Sequence, residues 1–141
     1  MTPMLATEVR KQWSSVCDDV IRKSPKFIKR TRDNMVLANI DTFIYILDMY
    51  RFTAKKYVED DGSITLSLDQ IDLAENGENE EIARQLLGES ILEYADEYYD
   101  EYELYHSAPN RRDHLPYVLK ALAINDPTKI GGSITCQAGK N

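Results

Sequence analysis

Apolar residues recur at helical spacing near the start of the chain. The positions are Val9, Trp13, Val16, Cys17, Val20 and Ile21. Gaps of four, three, one, three and one residues place them on one face of an α-helix. We expect Thr7 to cap the start of this helix, and we expect the helix to end at Ser24 because Pro25 follows.

A hairpin and a second helix are predicted next. The runs 26–31 and 35–38 are β-type, and the Asp-Asn pair at residues 33–34 tolerates the turn geometry that joins two strands. Asp41 is the expected cap of the helix that follows. A short run at residues 3–5 could add an edge strand. The pattern therefore predicts an edge strand, a helix, a hairpin and a helix.

A different pattern follows the second helix. Strands are predicted at residues 52–58 and 63–68, because the Glu-Asp-Asp-Gly segment between them is a strong hairpin turn. A long helix starts near Asn79, and its apolar stripe continues to Tyr105. Residues 115–124 are predicted to form a last short helix.

These elements predict an α+β fold with two modules. Residues 1–50 are expected to form a small helix–hairpin–helix module, and residues 51–126 a β-hairpin or sheet packed on a long acidic helix. Residues 127–141 are expected to be a disordered tail, because the last eleven of them have little apolar content. A length of 141 residues suits one ordinary domain or two very small ones.

Charge is distributed unevenly along the chain. Residues 1–58 hold eleven Lys and Arg residues against six Asp and Glu residues, a balance of +5. Residues 59–107 hold one against sixteen, a balance of −15, and the last 34 residues return to +3. The net charge of −7 argues against nucleic-acid binding by the chain as a whole. The local balance reverses that conclusion for the first third only, so the two modules are expected to have different partners.

Composition and motifs limit which classes of protein and which cellular compartment the sequence suits. No apolar run approaches the roughly 20 residues that cross a bilayer, and the N-terminus lacks the features of a secretory signal. The only cysteines, Cys17 and Cys136, argue against a structural disulfide, so the expected compartment is the cytoplasm. No nucleophile has a base at motif spacing, and no phosphate-binding or dinucleotide-binding fingerprint occurs. We therefore predict no enzyme, no cofactor and no membrane partner.

Cationic residues crowd the predicted hairpin. Lys29, Arg30 and Arg32 surround its turn, and Arg10 and Lys11 lie in the first turns of the preceding helix. A helix start beside a cationic turn could dock on a DNA groove and its flanking phosphates. The alternative is a solvated hairpin whose charges only maintain solubility. Spacing alone leaves both interpretations open.

The same region resembles a known family. The segments that carry the resemblance are ATEVRKQWSSV at residues 6–16 and FIKRTRDNMVL at residues 27–37. They are similar to the prevent-host-death (Phd/YefM) antitoxins, in which an ATEAR-type helix precedes a basic hairpin. The resemblance covers roughly the first 50 residues. It implies a symmetric dimer that binds a palindromic operator and represses its own operon. The DNA contacts that it implies are Arg10, Lys11, Lys29, Arg30 and Arg32.

The second module is similar to HicB-like antitoxin modules. Those modules place a strand–EDG–strand hairpin before a helix with an acidic start, and residues 57–66 followed by 75–83 repeat that order. Asn79 replaces the customary Thr, and the proline of the second strand is missing. Phd-type proteins usually end in a short toxin-binding tail instead of such a module.

The long helix carries carboxylates opposite its tyrosine stripe. Carboxylates at i,i+3 and i,i+4 spacing could reach one metal ion, but metal-binding carboxylates of helices usually face inward and these fall mainly opposite the Tyr/Leu stripe, which favours a solvated face and no metal site. Tyrosine suits both core packing and a partner surface, because its ring is buried while its hydroxyl stays hydrated. Both interpretations remain open here. The candidate partner-binding residues are Tyr94, Tyr98, Tyr99, Tyr102, Glu97, Asp100 and Glu101.

The two resemblances together predict an antitoxin of a bacterial type II toxin–antitoxin system. Such a protein would neutralise a toxin by direct binding and repress its own operon as a DNA-binding homodimer. The strongly acidic segment fits a basic toxin, since complementary charge speeds association. The alternative is a dimeric interaction or scaffold protein that does not bind DNA and uses its acidic, Tyr-rich helix to bind a basic partner.

Overall fold

The chain divides into two compact units. The computed structural model describes residues 1–140, and Asn141 lies outside the described residues. The first unit is Met1–Ile46, and the second begins at Leu47. Both units combine helices with a sheet, so the predicted α+β class is confirmed. None of the described helices is long and apolar enough to span a membrane.

The first unit follows the predicted order of elements. They are β1 (Met4–Leu5), α1 (Ala6–Lys11), α2 (Trp13–Arg22), β2 (Lys26–Arg30), β3 (Asp33–Leu37) and α3 (Ile40–Ile46). The predicted first helix is two helices, because Gln12 leaves helical geometry with φ −114° and ψ 31°. Its N–H still donates to the Glu8 carbonyl at 3.0 Å, so the apolar stripe continues across the break. Thr7 is not the cap, since Leu5 precedes the helix and no side chain caps it.

The strands of the first unit form a sheet in the order β1–β2–β3. β1 runs parallel to β2, and β3 runs antiparallel to it. Arg30 pairs with Asp33, so the turn is Thr31–Arg32, and the prediction that residues 33–34 form it is wrong. Thr31 supplies the left-handed turn geometry with a φ of 57°. The core of the unit consists of Val9, Val16, Val20 and Ile28.

Asn39, and not the predicted Asp41, caps α3. The Asn39 Oδ1 atom accepts a hydrogen bond from the Asp41 backbone N–H at 2.9 Å. The Asn39 amide nitrogen donates to the carbonyl oxygen of Ile21 at 3.2 Å. The Asn39 side chain therefore satisfies a backbone N–H group at the start of α3 and links that helix to the end of α2 by a hydrogen bond.

The second unit contains a four-stranded sheet in the order β6–β5–β4–β7. Its elements are β4 (Thr53–Val58), β5 (Ile64–Leu68), β6 (Ala74–Gly77), α4 (Glu80–Asp100), α5 (Tyr102–Ser107), α6 (Leu115–Ile124), α7 (Pro127–Ser133) and β7 (Thr135–Ala138). The predicted hairpin is confirmed: β4 and β5 are antiparallel, and Gly62 in their turn has a φ of 84°. The predicted last short helix is confirmed as α6.

The long helix α4 begins where the sequence predicts and ends earlier. The Asn79 side chain caps it by accepting a hydrogen bond from the Ile82 N–H at 2.9 Å. The predicted continuation to Tyr105 is interrupted at Glu101, where φ −114° and ψ 42° separate α4 from α5. The side chains that α4 buries in the core are Ala83, Leu87, Ile91, Ala95 and Tyr98.

The expectation of a disordered tail over residues 127–141 is wrong for the part that the structure describes. Ile130 and Ile134 are buried in the core, and β7 pairs in parallel with β4, which satisfies its backbone hydrogen bonds. Helix α7 packs closely on α4. A Cβ added at Gly88 or Gly131 would collide with the backbone of the other helix. The burial of Ile130 and Ile134 and the close packing at Gly131 therefore hold in place a segment whose composition suggests disorder.

Candidate functional site

Three predicted DNA contacts line one cavity in the first unit. Arg10 lies on α1, and Lys29 and Arg30 end β2; together they line a cavity of about 560 Å³. The parallel pairing of Leu5 with Lys29 brings the start of α1 beside the end of β2. We call these three cations the basic face.

The other two predicted DNA contacts, Lys11 and Arg32, do not line this cavity. The Nζ atom of Lys11 lies 3.7 Å from the Glu8 carboxylate, and the Lys11 side chain is exposed. Arg32 is exposed in the turn between β2 and β3. The structure thus places three of the five candidate DNA contacts around one cavity and leaves the other two outside its lining.

The basic face differs from Lys11, Lys23 and Lys26 of the first unit in having no acidic partner. Lys23 and Lys26 lie 3.2 Å and 3.7 Å from Asp19, and the hydrogen bond from Lys23 lowers the pKa of that carboxyl below its usual value. Within residues 1–140, no carboxylate lies within 4.0 Å of the basic face. Its charge is therefore available to a phosphate group.

Large apolar side chains remain exposed on the first unit. Phe27 and Val36 pair across β2 and β3, so they project from the same face of the sheet, and they are 51% and 59% exposed. Trp13 and Ile21 belong to the apolar stripe seen in the sequence, yet both are more than half exposed. Three large side chains of α3 are exposed as well: Ile40, Tyr45 and Ile46. Exposed apolar surface of this extent is typical of an interaction site.

The second unit exposes tyrosines among carboxylates. Tyr99 and Tyr102 are 61% and 42% exposed. The candidate residues Glu97, Asp100 and Glu101 are also exposed. Leu104, which the sequence did not single out because it lies off the apolar stripe, is exposed as well. We call these six residues the acidic aromatic face.

Tyr98 is a core residue, so the prediction that it contacts a partner is wrong. Its side chain is fully buried, and its hydroxyl donates to the carbonyl oxygen of Arg111 at 3.1 Å. Burial raises the pKa of Tyr98 above its usual value. Tyr94 is half-buried, and its hydroxyl lies 2.7 Å from Nδ1 of His114. The helical stripe in the sequence contained this signal, since Ile91, Tyr94 and Tyr98 share one face of α4.

The carboxylates of the described chain do not converge on one point. Among residues 1–140, no group of three or more His, Cys, Asp or Glu side chains is placed to hold a metal ion. Cys17 and Cys136 are free thiols, and burial raises the pKa of the Cys136 thiol.

Comparison with known families identifies the class of this protein. The profile of the PHD-like family, described as "Antitoxin of toxin-antitoxin, RelE / RelB, TA system", matches residues 1–135. The chain belongs to this family of antitoxins. Because antitoxins are regulatory proteins and not enzymes, the prediction that the chain is not an enzyme is confirmed.

A solved structure agrees with this assignment. A crystal structure at 1.80 Å from Syntrophomonas wolfei subsp. wolfei, described as the antitoxin part of a candidate toxin/antitoxin system, is 34% identical in sequence. The TM-score is 0.89, and the match covers 99% of this chain and 100% of that chain. No curated protein matches the chain. The chain is thus an antitoxin of a toxin–antitoxin system, which implies a toxin as its partner.

Proposed function

We propose that this antitoxin acts in the bacterial cytoplasm as part of a type II system, repressing its own operon through the first unit and neutralising its toxin through the second. The observation that carries the proposal is the separation of charge between the two units. The basic face has no acidic partner within residues 1–140, and the acidic aromatic face lies in the segment of −15 charge. Surfaces of opposite sign favour partners of opposite charge.

Operator DNA is the proposed ligand of the first unit. Arg10, Lys29 and Arg30 would contact phosphates, while Arg32 in the exposed turn would reach into a groove. Lys11 would join them, since an exposed ion pair such as Lys11–Glu8 contributes little and exchanges easily for a phosphate contact. The resemblance of residues 6–16 and 27–37 to Phd/YefM antitoxins supports this assignment.

A homodimer is the proposed state of the protein on DNA. The exposed apolar residues of the first unit, Phe27 and Val36 among them, offer a surface that a second copy would cover. A two-fold dimer presents two basic faces, which suits the two half-sites of a palindromic operator.

The toxin is the proposed ligand of the second unit, which we propose to be HicB-like. Tyr99, Tyr102 and Leu104 would form the apolar centre of the interface, because large exposed rings release much ordered water on burial. The carboxylates of Glu97, Asp100 and Glu101 would surround that centre and steer a basic toxin towards it.

Two full-length charge variants test this division of labour. The basic variant combines Arg10→Ala, Lys29→Ala and Arg30→Ala, and the acidic variant combines Glu97→Gln, Asp100→Asn and Glu101→Gln. We expect the basic variant to lose the gel shift with the chain's own upstream DNA and to keep toxin binding. We expect the acidic variant to show the opposite pattern. A basic variant that shifts DNA with unchanged salt dependence would exclude the basic face as the DNA site.

Matched controls remove the same number of charges elsewhere. Arg22→Ala, Lys23→Ala and Lys26→Ala take three cations from the first unit away from the basic face. Glu59→Gln, Asp60→Asn and Glu78→Gln take three exposed carboxylates from the second unit. Loss of binding in these controls would indicate a general effect of net charge. If the wild-type chain itself does not bind the operator, the scaffold interpretation replaces the repressor.

A further inference from the structure

A second cavity, of about 420 Å³, lies within the second unit. Tyr94 and Glu97 of α4 line it, together with Asp72 from the loop between β5 and β6 and Tyr105 of α5. Arg111 and His114, which precede α6, complete the lining used here. The cavity thus combines aromatic rings, carboxylates and one guanidinium.

The rings of this cavity already accommodate a guanidinium group. The Cζ atom of Arg111 lies 4.5 Å from the ring centroid of Tyr105 and 5.8 Å from that of Tyr94. The two rings are 6.2 Å apart with an interplanar angle of 45°, and both also pack against the buried ring of Tyr98. The negative faces of these rings are thus already paired with a cation of this chain, and the contacts among the rings and Arg111 form one wall of the cavity.

The carboxylates of the cavity are not neutralised within the described chain. Asp72 and Glu97 are exposed, and no Lys, Arg or His nitrogen among residues 1–140 lies within 4.0 Å of either. Their two negative charges exceed the single positive charge of Arg111. Both carboxylates belong to the segment 59–107, whose total charge is −15, so the field in the cavity favours a cation over an anion.

We propose that this cavity binds an arginine side chain of the partner protein, with its guanidinium between the carboxylates of Asp72 and Glu97, beside the tyrosine rings that Arg111 already covers. This inference rests on the proposed function, because the toxin would supply the arginine, and it deepens that function by naming the residue type recognised. Arginine fits better than lysine, since its planar fork can pair with a carboxylate through two N–H groups at once.

The protonation of His114 reports which charge enters the cavity. Burial, together with the nearby positive charge of Arg111, lowers the pKa of His114 below its usual value, while Asp113 opposes that shift. An incoming guanidinium would lower the pKa of His114 further, whereas an incoming anion would raise it.

The test uses the full-length antitoxin alone, studied by NMR with N-acetyl-arginine amide as the probe. We expect shifts of the Tyr94 and Tyr105 ring signals and a fall in the measured pKa of His114. N-acetyl-citrulline amide has the same shape without the charge and should produce neither. Glu97→Gln or Asp72→Asn should weaken probe binding about fivefold. The matched control Glu103→Gln, an exposed carboxylate outside the cavity, should leave binding unchanged.

Three results would overturn the proposal. They are equal responses to the arginine and citrulline probes, a rise in the His114 pKa on adding acetate in place of a response to arginine, and no response to any probe. Toxin binding is then measured separately with the Glu97→Gln protein, and undiminished affinity would show that the toxin does not use the cavity. If the wild-type chain binds no toxin at all, the proposed function fails while the arginine result stands.

Discussion

The first unit, Met1–Ile46, and the second unit differ most in how much apolar surface each covers by itself. Within residues 1–140, four buried apolar side chains form the core of the first unit, and fourteen form that of the second. The first unit leaves Trp13, Phe27 and Val36 at least half exposed, whereas the second buries side chains as large as Phe52 and Tyr98 completely.

This difference bears on which unit can be stable alone. A chain segment of fewer than 50 residues rarely buries enough surface to fold by itself, so the first unit gains most from a second copy. The second unit closes its own core with α7 and β7. We expect the stability of the first unit to depend on protein concentration and that of the second to be independent of it.

The largest expected effect is on the core of the second unit. Leu87→Ala should lower its free energy of unfolding by about 2–5 kcal/mol, because the fully buried side chain leaves a cavity. Leu104→Ala, which truncates the same residue type at an exposed site, should change it by less than about 0.5 kcal/mol. Chemical denaturation followed by circular dichroism measures both. Equal effects would contradict the difference in burial between the two sites.

The next effect concerns the apolar surface of the first unit. Phe27→Lys with Val36→Lys should weaken self-association by about 2 kcal/mol or more, because two charges replace apolar contact area. Sedimentation over a range of concentrations measures the change. Val58→Lys is the control, since Val58 is similarly exposed in the second unit. A dimer that tolerates the first pair of changes does not use this face.

A smaller effect is expected at the basic face. Arg30→Ala should lower operator affinity by about 1 kcal/mol and reduce the salt slope by about 0.9 for each phosphate that Arg30 neutralises. Lys23→Ala removes an exposed cation that Asp19 already neutralises, so it should change the slope less. Gel shifts at several salt concentrations separate the two. Identical slopes would show that the absence of an acidic partner does not select the DNA contacts.

The smallest effect is a pH dependence of the second unit. The pKa of His114 is lowered from 6.5 in the folded protein, so the unfolded chain binds more protons just below that pH. Stability should therefore fall as the pH drops through 6.5 and level off below the folded pKa. Urea midpoints at about pH 7.5 and about pH 5.5 measure this, and His114→Gln should reduce the difference. A stability that rises on acidification would have the wrong sign.

Local chemistry explains which elements could be predicted. The β4–β5 hairpin follows from Gly62, and α6 follows from its apolar spacing, since both signals lie within the element itself. The strands β6 and β7 could not be predicted from the sequence. Their backbone hydrogen bonds to β5 and β4 hold them in the sheet, and backbone hydrogen bonds require no particular pattern of side chains. The position of the first turn was wrong because Thr31 adopted the left-handed conformation expected of Asp33 or Asn34.

The sequence predicted which residue types belong to the candidate sites, but it did not predict which of those residues share one cavity or one surface. The sequence identified the cations, but only the pairing of β1 with β2 brings Arg10 beside Lys29 and Arg30. On α4, a single step along the helix separates buried Tyr98 from exposed Tyr99, and the apolar stripe already pointed to that difference. Exposure of Trp13 was not predictable, because the helix pattern identifies an apolar face without revealing what covers it.

The parallel pairing of β4 with β7 has a consequence for synthesis on the ribosome. Thr53 pairs with Thr135, so the sheet of the second unit stays incomplete until the strand that begins at Thr135 has emerged. All elements of the first unit precede Leu47. At roughly 5–20 residues per second, the chain needs about 5–20 seconds more to supply β7. A nascent chain therefore exposes the complete first unit, with its basic face, well before the sheet of the second unit can close.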